Sequence, residues 1–457
     1  MKSFALLSAL LGLTVALPTK VFNLRQVNDK GFTIAHPGGS KNVVVEEANT
    51  LNGTLTSNST VLFHPGKRQI PAQLPLEFVN NFGGSQVNAY LSGLDSNNAI
   101  VFLAADGSLI YPSSGGAEVP TLISENIAIP LPPQGETLRI VLPITISSAR
   151  IYFCEGDLSF FMVKTATGDG LVQPSLSNLE DPSSGLNWGF VELTYTNDLV
   201  LFANISFVDF VGMILGMQLT VTDGSATQTT HGLHSSAVND ICNDLLAQSS
   251  ADNFPWHRLC VADEFGQPIR VLSPNEYSVI NPADFESYWQ PYVDQAWAHY
   301  ASTPLVINTQ TEAGDINCQV SGDVLSCDGD NRGYAKPTAR DIWGCDSGPF
   351  GKLEGDNGIH LAVIPRLCSA FVRSTLFLEG GHIQPSLDSS HYYGADPTHH
   401  YSRVVHKYEV DGKGYAYSYD DVNPDGNENA SGVVSSGAVD TLTIFVGAPP
   451  EGSAPSP

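Results

Sequence analysis

The chain has 457 residues, 21 of them Lys or Arg and 47 Asp or Glu, for a formal charge of −26 at pH 7. So acidic a surface repels phosphate backbones and anionic membranes, which excludes nucleic-acid and membrane partners and leaves a neutral ligand as the expected one. The length is enough to bury a large core and fits two or three domains better than one.

In chain order, Lys2, an apolar run from Phe4 to Val15 and small residues ending at Ala16 have the layout of a secretory signal and are too short to span a bilayer. A secreted, extracellular protein cut after Ala16 is expected. The acceptor sequons at Asn52, Asn58, Asn204 and Asn429 agree with a glycosylated protein. Residues 17–68 end in Gly66-Lys67-Arg68, where dibasic processing is one reading and an unprocessed N-terminal extension or extra strand the other.

From residue 69 to 224 the chain reads as one half of a β-sandwich or barrel. Leu76–Asn80, Val87–Gly93, Ala99–Ala104, Leu138–Ile144 and Ala149–Phe153 read as strands, separated by turn clusters such as Asn80-Asn81-Phe82-Gly83-Gly84. Residues 225–389 change character and read as a mixed α/β region. There 234–248 and 282–300 have helical spacing, with Pro282 in a first turn and a stripe running from Phe285 through Tyr288, Trp289, Tyr292 and Trp297 to Tyr300, read as core. Seven cysteines in an oxidising compartment should mostly pair. Neighbour pairing gives 242–260, 318–327 and 345–368 and leaves Cys154 free. No CxxC, zinc-spaced His/Cys cluster or G-x-S-x-G elbow is present, so no metal or other cofactor and no esterase nucleophile are expected.

Residues 390–447 read as the second half of the sandwich, with 448–457 a disordered tail. Asp411-Gly412 predicts a hairpin between Tyr408–Val410 and Tyr415–Tyr419, which would set Tyr415, Tyr417 and Tyr419 in one row. That row reads either as a sugar-stacking wall or as half-buried strand residues. Asp420-Asp421 reads as a turn cap rather than a calcium site, because hard cations want more oxygen ligands.

The stretch 186–218 carries the chemistry. Trp188–Thr196 and Leu199–Asn204 form a hairpin on Asn197-Asp198, and Glu192 and Asp209 stand among apolar residues, where an unpaired carboxylate is costly. In a straight hairpin Glu192 would face a residue near Ala203 and Asp209 would lie about 20 Å further along. Cooperation therefore requires that 204–206 bend the chain back or that the two acids face each other across a cleft.

Four stretches together resemble glycoside hydrolase family 64, the secreted β-1,3-glucanases with a thaumatin-like β-domain: ARIYFCEGDLSFF with VQPSLSN (149–178), NWGFVELTYTND with VDFVGMIL (187–215), PIRVLSPNEY with PYVDQAWAHY (268–300) and HYSRVVHKYEVDGKGYAYSYDDVN (400–423). The resemblance implies a mainly β, thaumatin-like sandwich or barrel with an inserted mixed α/β domain. It implies an inverting endo-type β-1,3-glucanase acting as a monomer on laminarin- or curdlan-type glucan. Glu192 then matches the general acid and Asp209 the general base, with Thr194, Asn197, Tyr415 and Tyr417 as substrate contacts. A Glu192 desolvated by its apolar neighbours would stay protonated while Asp209 stays ionised. The alternative on the same scaffold is a non-catalytic β-glucan-binding or antifungal wall protein.

Overall fold

The structure, a computed structural model, describes residues 27–65, 72–424, 431–447 and 449–450. The signal-like stretch, Gly66-Lys67-Arg68, the Asn429 sequon and nearly all of the tail lie outside the described residues.

The architecture is mainly β. A nine-stranded sheet has Trp188–Tyr195, Ile146–Glu155 and Val87–Leu94 side by side at its centre and Val434–Ser436 and Val61–Phe63 at its edges. A five-stranded sheet runs Thr137–Leu142, Leu74–Asn80, Val439–Val446, Leu215–Val221, Gln228–Thr230, its last long strand lying parallel to Leu74–Asn80. Leu74–Asn80 shows why the chain folds this way. Leu74, Leu76, Phe78 and Asn80 are buried and the residues between them only half so, the period-2 pattern of a strand with one covered face. Phe78 meets Phe153 of the nine-stranded sheet edge to face at 5.1 Å, which packs the two sheets together.

Three further sheets and the helices complete the fold, one of the sheets made of Thr50–Asn52, Asp169–Val172, Phe161–Lys164 and Thr121–Leu122. Thr33–Ile34, Cys260–Ala262, Pro268–Leu272 and Phe210–Val211 form a second sheet. Leu305–Asn308, Asp315–Ser321 and Val324–Cys327 are the body of another. The helix expected over 234–248 is Ala237–Asp252. The one expected over 282–300 is a short 3₁₀ turn, Pro282–Asp284, followed by a helix only from Gln290 to Tyr300. Pro291 lies in the first turn of that later helix, where its missing N–H costs no intrahelical bond. The aromatic stripe is core in either case, with Phe285, Trp289, Tyr292, Trp297 and Tyr300 all buried. Gly358–Val372 is a buried helix outside the expected elements; Pro365 sits inside it and interrupts its sequence signal. The disulfides are Cys242–Cys260, Cys318–Cys327 and Cys345–Cys368, as expected from neighbour pairing, and Cys154 is free and buried.

The hairpin expected on Asp411-Gly412 does not form. His400–Tyr408 is a helix, packed by Val404 and Val405 and tied by Tyr401, whose hydroxyl donates to the Phe207 carbonyl at 2.6 Å. Residues 416–420 turn, closed by the Ala416 N–H donating to Asp420 Oδ2 at 2.8 Å. The tyrosine row is therefore absent. Tyr417 is 1% exposed, with the Arg373 guanidinium 5.3 Å from its ring, so it offers no face to a sugar.

Residues 27–65 are woven into the fold as edge strands of three different sheets. Thr33–Ile34 lies beside Cys260–Ala262, Thr50–Asn52 beside Asp169–Val172, and Val61–Phe63 beside Leu109–Tyr111.

Candidate active site

Glu192 and Thr194 project from one face of Trp188–Tyr195, while Val191, Leu193 and Tyr195 are buried on the other. The register sets Glu192 between Arg150 and Asn204, one residue away from the Ala203 expected for a straight hairpin. Arg150 donates to Glu192 Oε1 from Nε at 3.2 Å and from Nη2 at 3.0 Å, and Asn204 Nδ2 reaches Oε2 at 3.5 Å. The Arg150 guanidinium also lies 4.3 Å from the Phe190 ring, and its Nη1 donates to Gln173 Oε1 at 3.3 Å. A groove of about 460 Å³ opens over these groups, lined by Glu192, Thr194, Arg150, Asn204, Gln173 and Phe202 among others. Phe202 pairs with Thr194 across the strands and is 47% exposed, an aromatic face standing in a groove and suited to sugar stacking.

Asp209 arrives from elsewhere. The strand Leu201–Ile205 ends, Ser206 bridges to Tyr415, and the Phe207 N–H donates to the Tyr415 carbonyl at 2.7 Å. The chain bends at 208–209 and re-enters a different sheet as Phe210–Val211, opposite Leu272 and Val271. The Ser273 N–H fixes the bend by donating to the Asp209 carbonyl at 2.8 Å. Phe210 then folds back on Trp188 (4.7 Å) and Phe190 (5.8 Å), and the Met213 N–H donates to the Trp188 carbonyl at 2.9 Å. This return brings Asp209 into the electrostatic reach of Arg150 and Glu192.

Gly212 is required for that approach, since a Cβ there would lie 2.1 Å from the Trp188 carbonyl oxygen. Gly212→Ala should cost about 1–3 kcal/mol, the usual range for forced overpacking, and lower the denaturation midpoint accordingly. An unchanged midpoint would mean that 209–213 does not pack as described.

The burial of the two acids differs from the sequence expectation. Glu192 is not desolvated: its side chain is 36% exposed and paired with Arg150. Asp209 is the carboxyl pushed upward, first by burial and then by the charges of Glu192 and Asp346, with Arg150 opposing. Glu276, in the first turn of helix Pro274–Ile280 capped by Ser273, is raised to about 7 by burial and by Asp209. Asp209 thus sits in a charge cluster with Arg150, Glu192 and Asp346, and acts in turn on Glu276.

Of the residues singled out in the sequence, Glu192 and Thr194 line the groove and Asp209 joins the same cluster. Asn197 sits in the exposed turn, its Oδ1 accepting from Thr145 Oγ1 at 2.9 Å, outside the groove lining. Tyr415 is half-buried and acts through its backbone, and Tyr417 is enclosed. Arg150, Asn204, Gln173, Phe202 and Glu276 were not anticipated. Arg150 carried a signal: it is the lone cation of its strand, next to the apolar run Ile151–Cys154, and pairing that strand with Glu192's would have exposed it. Among the described residues, no group of three or more His, Cys, Asp or Glu side chains is placed to hold a metal ion.

Residues 72–446 match the family model described as β-1,3-glucanase, glycoside hydrolase family 64. The chain belongs to this family. Two curated relatives, each named glucan endo-1,3-beta-glucosidase, come from Cellulosimicrobium cellulans (26% identical) and Arthrobacter sp. strain YCWD3 (25%). Each aligns over 379 residues, 79% of this chain, and the chain spans 65% of the length of either. A solved laminaripentaose-producing β-1,3-glucanase in complex with laminaritetraose is 27% identical with a TM-score of 0.72, covering 82% of this chain and 99% of its own. A family 64 domain from Clostridium beijerinckii, 20% identical with a TM-score of 0.61 over 82% of this chain and 98% of its own, shares the fold. The family match begins after residues 27–65.

Proposed function

We propose that the protein is a secreted, endo-acting β-1,3-glucanase that hydrolyses laminarin- or curdlan-type glucan as a monomer, by single displacement with inversion. One observation carries the reading: within a family 64 fold, Glu192 and Asp209 come from two different sheets into one charge cluster beside an open groove. Inversion needs one carboxylic acid to protonate the leaving oxygen and one carboxylate to activate water on the opposite face, set about 6.5–9.5 Å apart. Family resemblance makes Glu192 the acid and Asp209 the base. The Asp346 charge, which reaches Asp209, would favour the positive charge that develops on the sugar ring. Affinity for a neutral polymer would come from stacking on Phe202 and hydrogen bonds from groups such as Thr194 and Asn204. In the same proposal, 69–224 with 390–447 form a thaumatin-like β-domain and 225–389 is inserted in it.

A second assignment, with Asp209 as acid and Glu192 as base, is favoured by the unliganded charges. Arg150 is ion-paired with Glu192, and burial pushes the Asp209 carboxyl upward.

The direct test is to incubate the purified protein, and its Glu192→Gln variant, with soluble β-1,3-glucan and separate the products by chromatography. Oligosaccharides from the wild type alone support hydrolysis through Glu192. Bound glucan without products from either would indicate the wall-binding alternative, and equal products from both would place the chemistry elsewhere.

A further inference from the structure

The groove beside Glu192 is not built by the family fold alone. Ala48, Thr50 and Leu51 belong to its lining, and they come from the segment that lies before the family match. This segment links two of the molecule's sheets. Thr33–Ile34 is held on the sheet that also contains Phe210–Val211, while Thr50–Asn52 is held on Asp169–Val172.

Between these anchors the path is fixed. The His36 and Gly38 N–H groups donate to the Leu179 and Glu180 carbonyls at 3.0 Å each, and Asn178 Nδ2 donates to the Asn42 carbonyl at 2.6 Å. The turn over 44–49 is organised by Asn49, itself 5% exposed. Its Nδ2 donates to the Val44 carbonyl at 2.8 Å and its Oδ1 accepts from the Glu46 N–H at 2.9 Å. The Asn49 carbonyl in turn accepts from the Gln173 N–H at 2.8 Å, and the Gln173 side chain is held by Arg150, the partner of Glu192. A rigid turn three hydrogen-bonding steps from the candidate acid therefore forms one wall of the groove. Ala48 is exposed there, and Thr50 and Leu51 are half-exposed.

We propose that residues 44–51 are a specificity-determining wall that limits the groove on one side of Glu192, so that Ala48, Thr50 and Leu51 contact the bound glucan and set how many sugar units fit there. The small side chain of Ala48 leaves room for a sugar, the Leu51 side chain offers an apolar edge, and the Thr50 hydroxyl offers a hydrogen bond. The wall narrows a groove that would otherwise stay open at that place, and product length follows from the narrowing. This inference rests on the glucanase reading for its ligand.

The test uses full-length protein, Ala48→Trp, which adds bulk at an exposed position, and Leu51→Ala, which removes the edge. Binding of purified β-1,3-gluco-oligosaccharides of graded length is measured by calorimetry, and hydrolysis products are sized by chromatography. Ala48→Trp should weaken binding of the longer oligosaccharides and raise KM by about tenfold with kcat changed less than about twofold, the pattern of lost uniform binding. Leu51→Ala should shift the product-length distribution, because the apolar edge that limits the groove is gone. Unchanged KM, affinities and product lengths in both variants would overturn the wall. If the wild type binds oligosaccharides but releases nothing, the glucanase reading fails, and the Ala48→Trp affinities still decide the wall; if it neither binds nor cleaves them, both fail. Thermal denaturation of each variant confirms that it is folded.

Discussion

On the proposed glucanase reading, Glu192→Gln and Asp209→Asn should each lower hydrolysis of β-1,3-glucan by about 10²–10⁴-fold, the range supplied by a positioned acid or base, with little change in the amount of glucan bound. Their rescue separates the two role assignments. An aryl β-1,3-gluco-oligosaccharide with a good leaving group departs without protonation, so the variant lacking the acid recovers on it and the variant lacking the base does not. Azide, a small anion that needs no deprotonation, restores the base variant instead. Recovery of Glu192→Gln on the aryl substrate supports Glu192 as acid; recovery of Asp209→Asn supports the reverse. The pair is also coupled electrostatically, which gives a signature independent of turnover. Burial is the first cause of Asp209's raised pKa and the Glu192 charge adds to it, with Arg150 opposing. Glu192→Gln removes the added charge and frees Arg150 from its ion pair, and both changes favour the Asp209 anion. Its titration, followed by carboxyl-carbon NMR, should move to lower pH. No movement would mean that the two carboxyls do not share a field.

What the sequence disclosed follows the range of the interactions involved. Leu74–Asn80 and Trp188–Tyr195 are visible because their alternation is local, and the hairpin on Asn197-Asp198 places Glu192 within one residue of its true partner. Asp209 is different. Its position depends on a bridge from Ser206 to Tyr415, a hydrogen bond from Ser273 and the collapse of Phe210 onto Trp188, contacts that span up to 209 residues. No local pattern reports them. The segment 400–419 failed for a related reason: Asp411-Gly412 between β-prone tyrosines is a strong local hairpin signal. Burial of Val404 and Val405 and the reach of Tyr401 to Phe207 favour a helix there instead. The wall from Ala48 to Leu51 was hidden because an edge strand carries no mark of the groove that it borders.

That same C-terminal segment carries the second large effect. Arg373 and Asp420 side chains are 3% and 2% exposed, and Arg373 Nη2 donates to Asp420 Oδ1 at 3.2 Å. His406 joins them, with Nε2 2.9 Å from Asp420 Oδ2 and Nδ1 2.8 Å from Glu409 Oε2. Burial alone would raise Asp420's pKa and depress His406's. Their mutual attraction outweighs it, leaving Asp420 below its usual value and His406 well above its own. Truncating Asp420 to Ala leaves two cationic groups enclosed without it, at a cost of about 3–5 kcal/mol. With an unfolding entropy of about 2.1 cal/mol/K per residue, that corresponds to roughly 3–5 °C in apparent Tm for a chain of this size. The sign with pH follows from the directions of the shifts. Asp420 contributes stability above its unfolded value of about 3.9 and loses it as pH falls through its lower folded value. His406 contributes fully below about 6.5 and loses its share as pH rises through its higher folded value. Both contributions are complete between these two limits, so the Tm gap between wild type and Asp420→Ala should be widest there and shrink toward pH 2–3. A gap that stayed constant down to pH 2 would mean that Asp420 acts by packing rather than by charge. Because the turn closed by Asp420 lies next to Tyr415, whose carbonyl holds Phe207, loosening it should also loosen the bend that delivers Asp209. Activity of Asp420→Ala should then fall at temperatures below its own Tm, although Asp420 lies outside the groove lining.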